Sequence, residues 1–227
     1  MIRPVLLFMT TATIWAAGPV GAAERRFALT GFDRVAVAGS DDVLITNGNF
    51  SIVADGAADD LDRLDIRVDG GVLKIRRKTN GWSGRGKDVR VTVALPALRG
   101  LTLAGSADVT ADRAAADRFA LSISGSGGIR LANLDTKTAD IELSGSGDMV
   151  VGGRCGALNV RVAGSGDANL GGLRCTNASI SIAGSGDVSA HVAGDASIRV
   201  AGSGDVVIAG GARCTTKIAG SGTVRCS

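Results

Sequence analysis

Apolar and polar residues alternate through the second half of the chain, and the alternating segment returns every 18 to 20 residues. Each return is marked by the tetrapeptide Gly-Ser-Gly-Asp or a near copy of it. Mostly apolar residues stand four and two positions before the first Gly, with a polar residue between them. A period of two is typical of a strand with one buried face. The first glycines of the copies are Gly105, Gly125, Gly145, Gly164, Gly184, Gly202 and Gly220.

A second inward-facing column follows each tetrapeptide, four residues past its first Gly. This column consists of Val109, Ile129, Met149, Ala168, Val188, Val206 and Val224. A unit of this length is too short for a crossover helix, so equivalent strands of successive units must stack directly. We therefore predict an all-β fold, a right-handed parallel β-helix or solenoid of about seven 18–20-residue coils with an N-terminal β-rich cap.

The chain before the repeats divides into two parts. Residues 1–23 resemble a secretory signal peptide, since a lone Arg3 precedes the apolar run 5–17 and small residues follow. The alternative is a membrane anchor, for which the run is short. Residues 24–98 are predicted as the cap, with a helical turn near 57–64, a hairpin around residues 69–71 and a strand at 89–93. The repeat region is 99–227, and residues 24–227 should form one structural domain without a transmembrane segment.

All four cysteines lie in the repeat region. An even number in an exported chain favours disulfides. Cys155 and Cys175 hold nearly the same place in consecutive units, where stacked strands lie about 4.8 Å apart. We predict the bonds Cys155–Cys175 and Cys214–Cys226. Zinc binding is the alternative, although no C-x-x-C pair is present.

The composition argues against nucleic-acid binding and against enzyme activity. A net charge of +3 gives no argument for nucleic acid as a partner. Aromatic residues make up only 3% of the chain, which leaves few platforms for a sugar-cleaving cleft. The one histidine, His191, has no recognisable catalytic companions, and no phosphate loop or dinucleotide motif occurs in a suitable context. We predict no catalytic residue, no enzyme activity and no cofactor.

Three surfaces remain as candidates for binding. The Asp column of the repeats could bridge calcium between coils through Asp148, Asp167, Asp187 and Asp205, with Asp108 before them. The alternative is that these carboxylates accept backbone amides at the corner. An outward column of charged residues includes Glu142, Arg161, Arg199 and Lys217. A basic cluster around a Gly-rich loop forms a possible ligand surface for anionic polysaccharide or lipid headgroups, from Arg76, Arg77, Lys78, Trp82, Arg85 and Lys87.

Several segments together resemble a known bacterial family. They are Gly31-Phe32-Asp33-Arg34-Val35, the strand Val72-Leu73-Lys74-Ile75, and Val93-Ala94-Leu95-Pro96-Ala97-Leu98 running into the first repeat. With the Gly-Ser-Gly-Asp corners, the pattern over residues 28–226 is similar to the "putative auto-transporter adhesin, head GIN domain" family. The resemblance implies an exported β-helical domain with an adhesion or envelope role, and it transfers no functional residue.

We therefore expect a non-enzymatic envelope or surface protein, periplasmic or extracellular, that binds polysaccharide or protein through a β-helix face. The alternatives are a periplasmic structural or regulatory interaction module and a polysaccharide-acting enzyme. The last coil should expose a strand edge, so an end-to-end homodimer is also predicted.

Overall fold

The computed structural model describes residues 23–78 and 89–227. Within these ranges the chain forms seventeen strands and one short helix. In chain order the elements are β1 (Ala23–Arg26), β2 (Arg34–Gly39), β3 (Asp42–Asn47), β4 (Ser51–Gly56), α1 (Ala58–Leu61), β5 (Leu64–Asp69), β6 (Val72–Arg77), β7 (Arg90–Leu95), β8 (Gly100–Gly105), β9 (Asp108–Gly125), β10 (Gly128–Gly145), β11 (Asp148–Gly164), β12 (Ala168–Gly184), β13 (Val188–Val192), β14 (Asp195–Gly202), β15 (Val206–Ala209), β16 (Arg213–Gly220) and β17 (Val224–Cys226).

The repeats form a β-solenoid of about six turns. The long strands β9 to β12 each follow one circuit, bending at the corners while staying paired with their neighbours. Equivalent positions pair in parallel, as Val109 does with Ile129 and Leu121 with Ile141. The predicted stacking is therefore confirmed, and the seventh predicted coil is the incomplete circuit of β16 and β17.

Each circuit has three walls, which we name by their order around the Gly corner. The first face contains the segments that precede the corner, namely β2, β8, β14, β16 and the C-terminal parts of β9 to β12. The second face contains those that follow it, and the third face contains the middle parts of β9 to β12. Their inward residues form one continuous apolar core, in which Leu103, Ile123 and Leu143 are completely buried. Polar residues alternate with them on the outside, as the pattern predicts.

The Gly-Ser-Gly corners bring consecutive coils into backbone contact. The carbonyl of Gly105 accepts hydrogen bonds from the N–H groups of both Ser126 and Gly127 in the next coil, each at 3.0 Å. Gly125 has φ +130°, and a Cβ added there would lie 2.3 Å from the Gly105 oxygen. Glycine is required at this corner for its positive φ and for the close approach of the coil below.

The N-terminal part closes one end of the stack. β2 pairs with β8 in parallel, and Gly39 aligns with Gly105, so the first coil has a glycine corner in register with those of the repeats. β5 and β6 form the hairpin predicted around residues 69–71, and α1 lies within the predicted helical turn. Because β2 and β3 pair directly with the repeats, the cap and the coils share one core. The division at residue 98 stays a prediction.

Both predicted disulfides are present. Cys155 and Cys175 are register partners in β11 and β12, with their Cα atoms 4.5 Å apart. Cys214 and Cys226 join β16 to β17, with a Cα separation of 6.6 Å. The second bond crosses the last coil, where Ile218 points inward like its equivalents but is 44% exposed. The far end of the core is therefore open in the described chain.

Candidate functional site

The Asp column of the second face is an array of amide acceptors. Oδ1 of Asp148 accepts the backbone N–H of Asp167 at 3.2 Å, and Oδ1 of Asp167 accepts that of Asp187 at 2.9 Å. In the next two coils the backbone N–H of Asp205 donates to Oδ1 of Asp187, at 2.7 Å, and that of Thr223 donates to Oδ1 of Asp205, at 2.8 Å. Each carboxylate thus ties its own coil to the next one, which is the role expected for Asp at a turn.

Hydrogen bonding favours the ionised form of Asp205, the last carboxylate of the column. The Thr223 hydroxyl and amide hold the pKa of Asp205 below its usual range, because both donate to its ionised carboxylate. Among the described residues no cluster of three or more His, Cys, Asp or Glu side chains is arranged to hold a metal ion. Calcium binding by the outer carboxylate oxygens stays a prediction.

Two described members of the basic cluster are hydrogen-bonded to the segment that precedes β6. Arg76 donates to Asp65 at 2.7 Å, and Lys78 donates to the carbonyl of Asp62 at 2.9 Å. The Arg76 guanidinium lowers the pKa of Asp65, chiefly through this hydrogen bond. Three further members, Trp82, Arg85 and Lys87, lie outside the described residues. The cluster as a ligand surface stays a prediction.

Arg77 differs from the rest of the cluster because it has an inward structural partner. Its Nε donates to Asp41 at 2.8 Å, and the Asp41 side chain is only 4% exposed. The same carboxylate accepts the backbone N–H of Val89 at 3.2 Å. Asp41 stands at the corner position where later coils have the second Gly of the motif. The first coil keeps the backbone contact at this corner, since the Gly39 carbonyl accepts the N–H groups of Ser106 and Ala107, and it adds a partly buried ion pair.

The charged column on the first face is in register as predicted. On adjacent strands Glu142 lies opposite Arg161, Ser181 lies opposite Arg199, and Arg199 lies opposite Lys217. Glu142 and Arg161 face each other, yet in the part of the chain that the structure describes they form no ion pair within 4.0 Å. Arg161, Arg199 and Lys217 consequently extend from this wall as exposed, uncompensated cations.

A recess on the third face was missed by the sequence reasoning. It has a volume of about 460 Å³ and contains the side chains of three arginines. We call it the third-face recess, lined by Arg113, Asn133, Asp135, Gly153, Arg154 and Arg174. The only sequence signal is the 19-residue step between Gly145 and Gly164, which follows two steps of 20.

The shortened step explains the shape of the third-face recess. Two residues separate Leu131 from Leu134, whereas only Gly152 separates their partners Val151 and Gly153. β11 therefore rounds this corner with one residue fewer than β10. Gly153 has φ +120°, and a Cβ there would lie 2.1 Å from the Leu134 oxygen, so only glycine fits at this corner of the recess.

His191 has the surroundings of a packing residue. A Cβ added to Gly210 would lie 3.0 Å from its Nε2, so the imidazole rests against that glycine. Within residues 23–78 and 89–227 it forms no hydrogen bond or ion pair with a carboxylate. No helix in the same ranges is both long enough and apolar enough to span a membrane.

The family comparison agrees with the architecture. A family model described as "putative auto-transporter adhesin, head GIN domain" matches residues 31–212. The chain belongs to this family. Membership supports an adhesin-like role and, together with the two disulfides, an exported protein. No curated protein sequence matches the chain.

Solved structures share the fold at low sequence identity. A "putative adhesin" from Bacteroides fragilis has a TM-score of 0.85 at 17% identity, covering 91% of this chain and 97% of its own. A "putative lipid binding protein" from Parabacteroides distasonis has a TM-score of 0.75 at 20% identity, covering 92% and 98%. A "putative adhesin" from Parabacteroides merdae has a TM-score of 0.74 at 16% identity, with the same coverage. At these identities the likeness concerns the fold alone.

Proposed function

We propose that this adhesin-head protein is a non-enzymatic binding domain of the cell envelope or cell surface. It presents a face of the solenoid to an extended partner, either polysaccharide or protein. The observation that carries the proposal is the first face, where eight strands from β2 to β16 stack in one register. Seven steps of about 4.8 Å give a wall roughly 34 Å long.

A wall of this kind suits a polymer better than a small molecule. Its outward positions repeat at the strand spacing, so a chain-like partner can make the same contact at successive coils. Arg161, Arg199 and Lys217 add cations without partners among the described residues, and cations of this kind favour a partner with negative charge. Family membership supports the same role.

The second candidate is a periplasmic structural or regulatory interaction module. The exposed edge of β16 and β17 favours it, because unpaired strand edges and the 44% exposed Ile218 can be covered by another chain. That chain is an envelope protein or a second copy of this one. A polysaccharide-acting enzyme is the least supported alternative, since no described residues form a catalytic constellation.

The test is binding by the purified mature chain. Wild-type protein is mixed separately with envelope polysaccharide and with envelope-protein extract, and the retained material is identified. We expect saturable retention of one class without chemical turnover. Combined Arg161→Gln and Arg199→Gln would weaken binding through the first face, whereas Trp82→Ala with Arg76→Gln would weaken binding through the basic cluster.

Three results would change the assignment. Co-purification with one envelope protein at fixed stoichiometry supports the interaction module instead. Turnover of a glycan that a single Asp substitution abolishes supports the enzyme. Retention of neither class by the wild-type chain rejects the proposed binding function.

A further inference from the structure

We infer that the third-face recess binds a segment of acidic polysaccharide through its carboxylate groups. This inference rests on the proposed function and adds to it a second location and a ligand class. The walls of the recess supply guanidinium groups, which bind carboxylates with paired hydrogen bonds. The arrangement of charge around each arginine carries the argument.

Arg154 is hydrogen-bonded to a carboxylate of the recess, that of Asp135, and lowers its pKa chiefly through this bond, while Arg113 contributes at longer range. It donates to Asp135 of the neighbouring coil through Nε, at 3.0 Å, and through Nη2, at 2.5 Å. This two-point contact fixes the guanidinium on the recess wall and offsets its charge. Arg154 therefore shapes the site and leaves the other two arginines to supply net positive charge.

Arg174 has no acidic neighbour in the strand register. Its neighbours there are Arg154 on one side and His191 on the other. Among the described residues Arg174 has no hydrogen bond or ion pair, whereas Arg154 has its own carboxylate in Asp135. The Arg174 guanidinium is therefore available to a partner from outside the chain.

Arg113 completes the site from the other end of the recess. It lies beside Asn133 in the register, and it too has no ion pair or hydrogen bond within the described chain. Asn133 adds an amide group that can donate to a carboxylate or to a sugar hydroxyl. Ala115 and Gly153 also line the recess without adding charge, and the Asp135–Arg154 pair lies between the strands of the two arginines.

The separation of the two free arginines sets the size of the ligand. Arg113 is on β9 and Arg174 on β12, three strand steps apart, which is about 14 Å along the solenoid. An extended chain carrying at least two anionic groups fits this separation, and an acidic glycan is the polymer of that kind that agrees with an adhesin-like role.

The experiment compares one ligand pair against three proteins. The ligands are a hexuronic-acid oligosaccharide and the same oligomer with its carboxyl groups reduced to alcohols. The proteins are the full mature wild-type chain, the double variant Arg113→Gln/Arg174→Gln, and the control Arg130→Gln/Arg225→Gln. The control removes two exposed arginines from the second face, so the change in net charge is matched. Affinity is measured by titration calorimetry at low and at physiological salt.

The expected result has three parts. The wild type binds the acidic oligomer and not the reduced one, and its affinity falls with added salt. The Arg113→Gln/Arg174→Gln variant loses about tenfold or more in affinity, since two charge-assisted contacts are removed. The Arg130→Gln/Arg225→Gln control retains the wild-type affinity within about twofold.

The outcomes separate this inference from the proposed function. If the wild type binds envelope polysaccharide but the recess variant binds equally well, the recess inference is wrong and the proposed function stands. Equal binding of the reduced oligomer, or tighter binding of single-stranded DNA of similar length, also overturns it. If the wild type retains neither polysaccharide nor envelope protein, the proposed function itself fails.

Discussion

The corner glycines allow two requirements for glycine to be measured separately, namely the positive φ angle and the close approach of the neighbouring coil. Gly125 combines φ +130° with a Cβ position 2.3 Å from the Gly105 oxygen. Gly39 has nearly the same angle, +131°, but a Cβ there meets nothing within 4 Å. Gly147 has the reverse combination, since no positive φ applies and its Cβ would lie 2.3 Å from the Gly127 oxygen. Gly39→Ala therefore measures the cost of the backbone angle, Gly147→Ala measures the cost of the close contact, and Gly125→Ala measures their sum.

The magnitudes follow from these geometries. An L-residue at such an angle costs about 1–3 kcal/mol. Forcing a methyl group into closed space costs about 1–3 kcal/mol, because the coils must move apart. We expect Gly39→Ala and Gly147→Ala each to lower the free energy of unfolding by about 1–3 kcal/mol. Gly125→Ala should lower it by about their sum, about 2–6 kcal/mol, which for a chain of this size is roughly 4–24 °C in melting temperature.

The assay is guanidinium unfolding of the mature protein followed by circular dichroism, with thermal melts alongside. The slope with denaturant must stay constant across the variants, since a solenoid can lose cooperativity. If Gly39→Ala is as damaging as Gly125→Ala, the backbone angle alone demands glycine. If Gly147→Ala leaves stability unchanged, the close approach of the coils does not constrain the sequence, and the packing argument is refuted.

Three further predictions concern the ties between elements. Replacing Cys155 and Cys175 together by Ala should lower stability by about 3 kcal/mol, and reductant should have no further effect at this bond; a variant as stable as the wild type under oxidising conditions would contradict this. Asp41→Ala should cost about 2–4 kcal/mol by removing the buried carboxylate that binds Arg77 and the Val89 N–H, although the contact of Arg77 with Asp60 remains, and adding Arg77→Leu should restore part of the loss in a double-mutant cycle. Because the pKa of Asp205 is lowered in the folded state, its contribution is complete above its unfolded pKa, near 3.8, and is lost as pH falls through the lower folded value. Asp205→Asn should thus be less stable than the wild type at neutral pH, and the two melting temperatures should converge in acid.

The repeats could be predicted in detail because one rule applies to every coil. An inward column needs apolar residues at two fixed distances from the Gly corner, and Leu101, Leu121 and Ile141 occupy equivalent places. Stacked equivalence also predicts that Cys155 meets Cys175. The same equivalence predicts that the Asp residues form a column. Of the two roles considered for it, the structure shows carboxylates that accept backbone amides from coil to coil.

The features that could not be predicted depend on contacts that the repeat pattern does not contain. β1 is polar, Ala-Glu-Arg-Arg, and becomes a strand because the edge of β4 offers it a pairing partner. The third-face recess depends on a one-residue difference in coil length, whose effect on shape appears only when β10 and β11 are aligned. Asp41 could not be paired with Arg77 from sequence, since 36 positions separate them.

The coil-to-coil hydrogen bonds of the Asp column have a consequence for how such proteins change over time. From Asp148 to Asp205 each carboxylate reaches only to the adjoining turn and accepts the same backbone N–H there. A whole turn of this part can therefore be duplicated or lost by recombination while the two new neighbours join as before. The length of the rod can then change by whole turns without any change in the rules of assembly.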